Sequence, residues 1–264
     1  MSQITLTLPS DPILARLGRK LRGFKIQSTG RTTQTGHNLA KVKVHHNGQS
    51  ATLVVREGTT DIDLVKMIYA ARCMYHLPHA VNPDIIFDCG ANIGMTASYF
   101  AMSYPKATIY CFEPLPDNLE LLKENVAQFG NRIKVMPFGL SEQAGSFIYN
   151  MSANSQSFGG GTFCEIGGDH ERAFELPVRT VGDVMNELGI DHVDLFKIDT
   201  EGSEYPILKG MPSEIYQKAQ ALVGELHGVH DWDFCNLIND SHNIGINKSY
   251  DRHCFEFVAI RKDL

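Results

Sequence analysis

The sequence predicts an α/β protein built on a doubly wound, mostly parallel sheet, preceded by a small N-terminal α+β extension. Three observations carry that prediction. An apolar run, Ile85-Ile86-Phe87, ends in Asp88 and passes through Gly90, Asn92 and Gly94 into a helix-compatible stretch starting at Met95. A second β-branched and aromatic run, residues 108–112, ends in Glu113-Pro114-Leu115. From Asp84 onward, strand-like and helix-like stretches alternate, as they do where parallel strands are joined by helical crossovers.

The loop after the first of these strands is the most informative stretch. A strand, a glycine turn and a helix start open a ligand crevice in a doubly wound sheet. A dinucleotide loop reads G-x-G-x-x-G and seats a pyrophosphate on the helix N-terminus. Here the pattern is D-x-G-x-N-x-G, with a carboxylate at the strand end. Asp88 would repel a pyrophosphate and suit a cation. S-adenosyl-L-methionine carries an ammonium and a sulfonium and no phosphate, so the loop favours it over NAD. Glu113 follows the glycine loop by about 20 residues, the spacing at which an acid accepts hydrogen bonds from ribose hydroxyls. The plainer alternatives are a glycine loop that only joins strand to helix, and an acid that only favours the next helix N-terminus.

Bulk properties narrow the class. The chain has 264 residues, 43% of them hydrophobic and 20% charged, which is ordinary for a globular protein. A formal net charge of -6 argues against a nucleic-acid partner, because phosphate binders concentrate Lys and Arg. No apolar run approaches the ~20 residues of a membrane span. Polar residues interrupt Ile4 to Leu8, so no signal-peptide core is expected. Cysteines 73, 89, 111, 164, 235 and 254 show no C-x-x-C spacing. That pattern points to a reducing compartment, hence the cytoplasm, and to no structural zinc.

Residues 1–80 are expected to form an extension or edge layer, and residues 81–264 the main domain. The extension mixes β-like runs at 4–8, 39–45 and 51–55 with the basic residues Arg16, Arg19, Lys20, Arg22, Lys25 and Arg31. These basic residues suit a solvated surface or the anionic part of a substrate. Thr59-Thr60-Asp61 caps a predicted helix through Leu64, Ile68 and Ala71. In the main domain, a helix over 117–129 leads to a third strand over 133–138. Gly139-Leu140-Ser141 follows, offering backbone groups to an adenine ring, with Phe138 and Leu115 as packing candidates. A short extra strand is expected over 145–149. Residues 150–168 lack periodicity and read as a substrate-covering loop. Regular structure resumes at Val178, with a helix over 181–188.

The fourth strand of the main run, 193–199, ends in Asp199-Thr200-Glu201-Gly202. Lys197 within it is expected to pair with a carboxylate, since a lone buried charge is costly. A fifth strand over 220–223 exits as Glu225-Leu226-His227. Asp199, Glu201, Glu225 and His227 thus converge on one crevice, where a hydroxyl needs a positioned base to become a nucleophile. His227 is the first choice for that base, with Asp199 and Glu225 as further catalytic candidates. Glu225 and His227 could equally form a structural pair. Asp199, Glu225 and His227 would also make a thin set for a divalent ion, which the reading does not require. A helix over 231–238 and two β-like runs, 244–247 and 255–260, complete the chain.

Five segments together resemble the FkbM family of S-adenosylmethionine-dependent methyltransferases: F-D-C-G-A-N-I-G-M-T, Y-C-F-E-P-L-P-D-N, F-G-L-S-E-Q-A-G, L-F-K-I-D-T-E-G-S-E-Y-P-I-L-K-G and V-G-E-L-H. They span roughly residues 84–230, and K-I-D-T-E-G-S-E is the most specific of them. The resemblance implies a Rossmann-like, seven-stranded methyltransferase sheet and O-methylation, often of sugar hydroxyls in glycans or of natural-product hydroxyls. It also implies cofactor contacts at Asp88, Gly90, Asn92 and Gly94, with Glu113 on the ribose. With the neighbouring positions, the expected cofactor-binding set is Asp88, Gly90, Ala91, Asn92, Gly94, Glu113, Pro114, Leu115, Gly139, Leu140 and Asp199. The expected partner is a small-molecule or glycan acceptor.

Overall fold

The computed structural model describes residues 24–69, 73, 75–152, 170–249 and 254–264. The first element is a three-stranded antiparallel sheet, β1 (Ile26–Thr32), β2 (Asn38–His46) and β3 (Gln49–Arg56), followed by helix α1 (Asp61–Tyr69). Strand β4 (Ile85–Cys89), helix α2 (Met95–Ser103), strand β5 (Thr108–Phe112), helix α3 (Pro116–Val126) and strand β6 (Ile133–Met136) come next. Strands β7 (Gly139–Leu140), β8 (Gly145–Ser152) and β9 (His170–Arg179) form a small separate sheet ahead of helix α4 (Val181–Leu188). Strand β10 (Leu195–Ile198), helices α5 (Glu204–Lys209) and α6 (Ser213–Lys218), strand β11 (Ala221–Leu226), helix α7 (Asp231–Ile238) and strands β12 (His242–Ser249) and β13 (Cys254–Arg261) follow.

The main sheet has seven strands in the order β12-β13-β11-β10-β4-β5-β6. Strands β4, β5, β6, β10 and β11 run parallel to one another, whereas β13 runs antiparallel to both β11 and β12. The order reverses between β4 and β10, and ligands bind outside the carboxyl ends of strands at such a switch point. Both faces are covered by separate apolar clusters. Strand β4 shows how: Ile86 joins one cluster while Phe87 and Cys89 join the other, the two-residue alternation of a doubly covered strand.

The N-terminal sheet lies as a further layer against α2 and α3. Asn125 of α3 accepts from the Val54 N–H at 2.6 Å and donates to Val54 O at 3.0 Å and Ile93 O at 2.8 Å. Arg56, fully buried, donates to both Asp61 oxygens at 2.8 and 2.9 Å and to Asn118 at 3.0 Å. Arg31 makes a two-pronged pair with Glu124 at 2.7 and 2.8 Å, so this basic residue serves the surface of the fold.

Three sequence expectations need correction. Strand β11 continues through Leu226, so Glu225 lies inside the strand rather than at its exit. Strand β8 extends to Ser152 and β9 begins at His170, so both are longer than the expected runs. Their hairpin pairing, with Phe147 opposite Leu176, supplies the order that the charged residues of β9 hide from a periodicity count. The strand expected over 4–8, residues Arg16, Arg19, Lys20 and Arg22, and most of the expected substrate-covering loop lie outside the described residues.

Candidate active site

The site is built at the carboxyl ends of β4, β5, β10 and β11. Lys197 stands beside Asp88 in register on adjacent strands. Its ammonium is 3.3 Å from the Asp88 carboxylate and 3.8 Å from that of Asp199. It also donates to Gly90 O at 2.6 Å and Cys89 O at 3.2 Å. Burial alone would lower the pKa of this lysine, but Asp88 and Asp199 hold it above the ordinary lysine range. One buried cation thereby ties the glycine loop to the turn after β10.

That pairing changes the reading of Asp88. Its side chain is 0% exposed, and burial raises its pKa against the pull of Lys197. Asp88 therefore faces Lys197 beneath the loop and does not present a free carboxylate to the crevice. The loop itself has the expected shape. Gly90 has φ 79°, and a Cβ there would lie 2.0 Å from Asp199 O. Glycine is the residue that both conditions admit. Asn92 also sits in the left-handed region, at φ 49°. Its N–H donates to Glu113 at 2.8 Å, and its side-chain Oδ1 is buried without a hydrogen-bond partner.

Glu113 closes β5 and is buried. Its second oxygen accepts from the Leu115 N–H at 2.9 Å, so this acid clamps the Asn92 loop against the Pro114-Leu115 turn. Burial raises its pKa, while the N–H groups of Leu115 and Asn92 and the Asn118 side chain oppose the rise. Gly139 and Leu140, both buried, pair with Val178 and Arg179 of β9, which commits part of the backbone expected to face an adenine. Phe138 packs on Phe112 at 5.8 Å and beneath Arg179 at 5.1 Å.

The turn from Asp199 to α5 is the second half of the site. Glu201 has φ 55° and Gly202 φ 111°, a reversal that brings the Glu204 carboxylate back over the turn. Glu204 accepts from Thr200 N–H at 2.9 Å, Thr200 Oγ1 at 3.2 Å and Gly202 N–H at 3.0 Å. Its pKa is lowered: burial works against ionisation, but His227 and the turn's N–H groups outweigh it. Tyr75 donates to Asp199 at 3.4 Å from the far side.

His227, one residue past β11, is ringed by carboxylates. Its Nδ1 is 3.2 Å from Glu204, and its Nε2 is 3.3 Å from Glu225 and 3.7 Å from Glu201. Cys254 of β13 donates its thiol to Glu225 at 3.1 Å. Burial would lower the His227 pKa, but contacts with Cys254, Glu204 and Glu225 and the charge of Asp199 lift it far above the ordinary range. These contacts favour the protonated ring, with Nδ1 against Glu204 and Nε2 facing Glu225 and Glu201. A ring held in that form makes a poorer base than the sequence reading supposes, and the neighbouring Glu201 stands as an alternative.

The surplus of negative charge falls on Glu201 and Asp199. Asp199 is raised by burial and by Glu225, against the pull of Lys197 and His227. Glu201, whose side chain is 37% exposed, is raised to about 8 by partial burial and by Asp199, Glu204 and Glu225, against the pull of His227. Among the described residues Asp199, Glu201, Glu204 and Glu225, with Asp88 beneath the loop, are matched by the two cations Lys197 and His227. Such a site has room for a further positive charge. S-adenosyl-L-methionine fits: a cationic sulfur suits the anionic crevice, and the unpartnered Asn92 Oδ1 can accept from its ammonium.

A divalent ion is also sterically feasible. Asp199, Glu201 and His227 hold ligand atoms within 4.8 Å of one another, as do Glu225, His227 and Cys254. Both sets draw on His227, whose Nδ1 meets Glu204 at 3.2 Å and whose Nε2 faces Glu225 and Glu201. Sequence reasoning passed over Glu204, Tyr75 and Cys254. Glu204 appeared only within the K-I-D-T-E-G-S-E motif and Cys254 as a scattered thiol, and the register of β11 with β13 brings the thiol to Glu225.

A glycine loop at the switch point, an acid ending the neighbouring strand and an anionic crevice beyond them accord with a methyltransferase. The comparisons identify the group: the Methyltransferase FkbM domain model matches residues 88–260, and the chain belongs to that family. Relatives include methyltransferase sdnD of Sordaria araneosa, 28% identical over 61% of this chain and 73% of that protein. Hexuronic acid methyltransferase AglP of Haloferax volcanii is 28% identical over 62% of this chain and 65% of that protein. The 31-O-demethyl-FK506 methyltransferase FkbM of Streptomyces tacrolimicus is 28% identical over 63% of this chain and 74% of that protein. Among solved structures, the Methanococcus jannaschii fibrillarin pre-rRNA processing protein covers 91% of this chain and 99% of its own at 12% identity and a TM-score of 0.45, too loose a likeness to argue from. Among the described residues no helix is long and apolar enough to cross a membrane.

Proposed function

We propose that the chain is an S-adenosyl-L-methionine-dependent O-methyltransferase whose acceptor is a sugar hydroxyl of a glycan or glycoconjugate. The observation that carries this reading is the placement of Glu201, a part-exposed carboxylate at the crevice rim 3.7 Å from His227, where burial and neighbouring carboxylates push its pKa up to about 8. A hydroxyl becomes a competent nucleophile when a base with pKa near the working pH takes its proton. When bound, the cofactor supplies a methyl group on a positively charged sulfur. Gly90, Ala91, Asn92 and Gly94 form its loop, and Glu113 serves the ribose. Pro114, Leu115, Gly139 and Leu140 border the adenine side. Asp199 keeps the rim anionic, with Lys197 holding it in place.

In this scheme Glu201 removes the acceptor proton. His227, held by Glu204 and Glu225, steadies the Glu201 carboxylate once that carboxylate is ionised, so it is a positioning residue. Fixing the acceptor oxygen in line with the donor methyl contributes further. The sugar acceptor follows the named activities of two relatives, hexuronic acid methyltransferase AglP and 2-O-methyltransferase NoeI of Sinorhizobium fredii. Reaction in the cytoplasm accords with Cys73, Cys89, Cys111 and Cys235 being free thiols.

A second reading, methylation of a small natural-product hydroxyl, is favoured by the relative named for FK506. A third is a protein that binds the donor without turnover. Transfer of labelled methyl to a panel of glycans, methyl glycosides and small alcohols separates the three. Label on sugars is expected. Label confined to non-sugar alcohols establishes the second reading, and donor binding with no label on any acceptor establishes the third.

A further inference from the structure

The segment that leads from α1 to β4 is pinned where it crosses toward the main sheet. The His76 N–H donates to Cys73 O and the Val81 N–H to Pro78 O, both at 3.0 Å. The Asn82 N–H donates to Gln220 Oε1, just ahead of β11, at 2.8 Å. Between these anchors Tyr75, Leu77 and Val81 are buried. The Tyr75 ring stands edge-on to Phe100 of α2, with centroids 6.0 Å apart. Held in this way, its hydroxyl donates to Asp199 Oδ2 at 3.4 Å.

A buried tyrosine needs a partner for its hydroxyl, whereas phenylalanine fills nearly the same space without that need. Burial and the charges of Asp199, Glu225 and Asp88 hold the Tyr75 pKa well above its ordinary value, so the hydroxyl keeps its proton and donates. A hydrogen bond to a carboxylate favours its ionised form, and burial works against that form in Asp199. The Lys197 ammonium lies 3.8 Å from the same Asp199 oxygen, but it is shared with Asp88, Cys89 O and Gly90 O. Away from these two buried donors Asp199 is 23% exposed, and one of its oxygens lies within 4.8 Å of Glu201 and His227 atoms. We infer that Tyr75 is a positioning residue of the transfer site: its hydroxyl fixes Asp199 so that the carboxylate presents its charge to the crevice that draws the positively charged sulfur of the donor. The inference rests on the donor reading above and extends the site to a residue ahead of positions 88–260, which the family model matches.

Tyr75→Phe removes one oxygen and keeps the ring on Phe100, so the fold is expected to survive, with thermal unfolding measured alongside. Wild type, Tyr75→Phe, Asp199→Asn and the double variant of the full chain are titrated by calorimetry with two ligands. S-adenosyl-L-methionine carries the charged sulfur and S-adenosylhomocysteine does not, and binding of either needs no acceptor. Tyr75→Phe is expected to weaken S-adenosyl-L-methionine about fivefold, the scale of one hydrogen bond to a charged group, and to leave S-adenosylhomocysteine within about twofold. In the Asp199→Asn background the same change should weaken S-adenosyl-L-methionine by less than about twofold further, because a residue that acts through Asp199 has nothing left to position. Equal weakening of both ligands is what a purely structural tyrosine gives, and it would overturn the inference. So would unchanged affinity for both, or the full fivefold loss repeated on top of Asp199→Asn. A wild-type chain that binds neither ligand sinks the donor reading itself, and the role of Tyr75 with it.

Discussion

Glu201 stands at φ 55°, a backbone region that costs a non-glycine residue about 1–3 kcal/mol. The surrounding hydrogen bonds to Glu204 hold it there, with its carboxylate facing His227 and hemmed by Asp199, Glu204 and Glu225. Glu201→Gln is expected to lower kcat by about 10²- to 10⁴-fold, the usual contribution of a general base, with donor affinity nearly unchanged. Because the base acts only when ionised, wild-type kcat/KM should rise with pH and level off above about 8. The Gln variant should lack that limb. His227→Gln removes the cation that holds Glu201 down, so the limb should shift to higher pH while the plateau survives. Turnover abolished at every pH by His227→Gln, with the fold intact, would restore His227 as the base.

At the scale of elements, the glycine loop and the turn after β10 meet at one close approach, Gly90 against Asp199 O. Gly90→Ala puts a methyl into a gap of 2.0 Å and forces the two elements apart. Donor binding by calorimetry should weaken at least about tenfold, while circular dichroism stays native. Much of this was legible in the sequence. The apolar run ending in Asp88, the glycine spacing and the acid at Glu113 are local patterns, and they placed β4, α2 and β5 closely. The oddity of Lys197 in a central strand foretold its carboxylate partners. The charge state of His227 was not legible, because its partners come from α5, β11 and β13. Sequence lists the titratable groups but not which carboxylates crowd one nitrogen, and that crowding is why the proposed scheme uses Glu201 in place of His227. Strand β9 was hidden for a similar reason, since its pairing with β8 spans the residues between two strands.

Across the whole molecule, Asn125 joins layers that the sequence keeps 71 and 32 residues apart. One side chain holds β3 of the N-terminal sheet and Ile93 of the donor loop. Asn125→Ala leaves buried backbone groups unpaired, at about 1–3 kcal/mol each, so thermal unfolding should shift down. Donor affinity should fall with it by a fewfold, whereas a variant of the exposed Arg31–Glu124 pair should change neither by much. Donor affinity unchanged in a destabilised Asn125→Ala protein would show that the N-terminal layer supports the fold without steadying the loop.

The crowding of acids around one imidazolium also sets a proton balance. At neutral pH Glu201 is mostly protonated, and a cation arriving beside it makes the ionised form cheaper to hold. Binding of a positively charged donor should therefore expel close to one proton into solution, whereas the uncharged thioether product should expel less. The heat of binding measured in buffers of differing ionisation enthalpy reads this directly, and equal heats in all buffers would mean that Glu201 was ionised from the start.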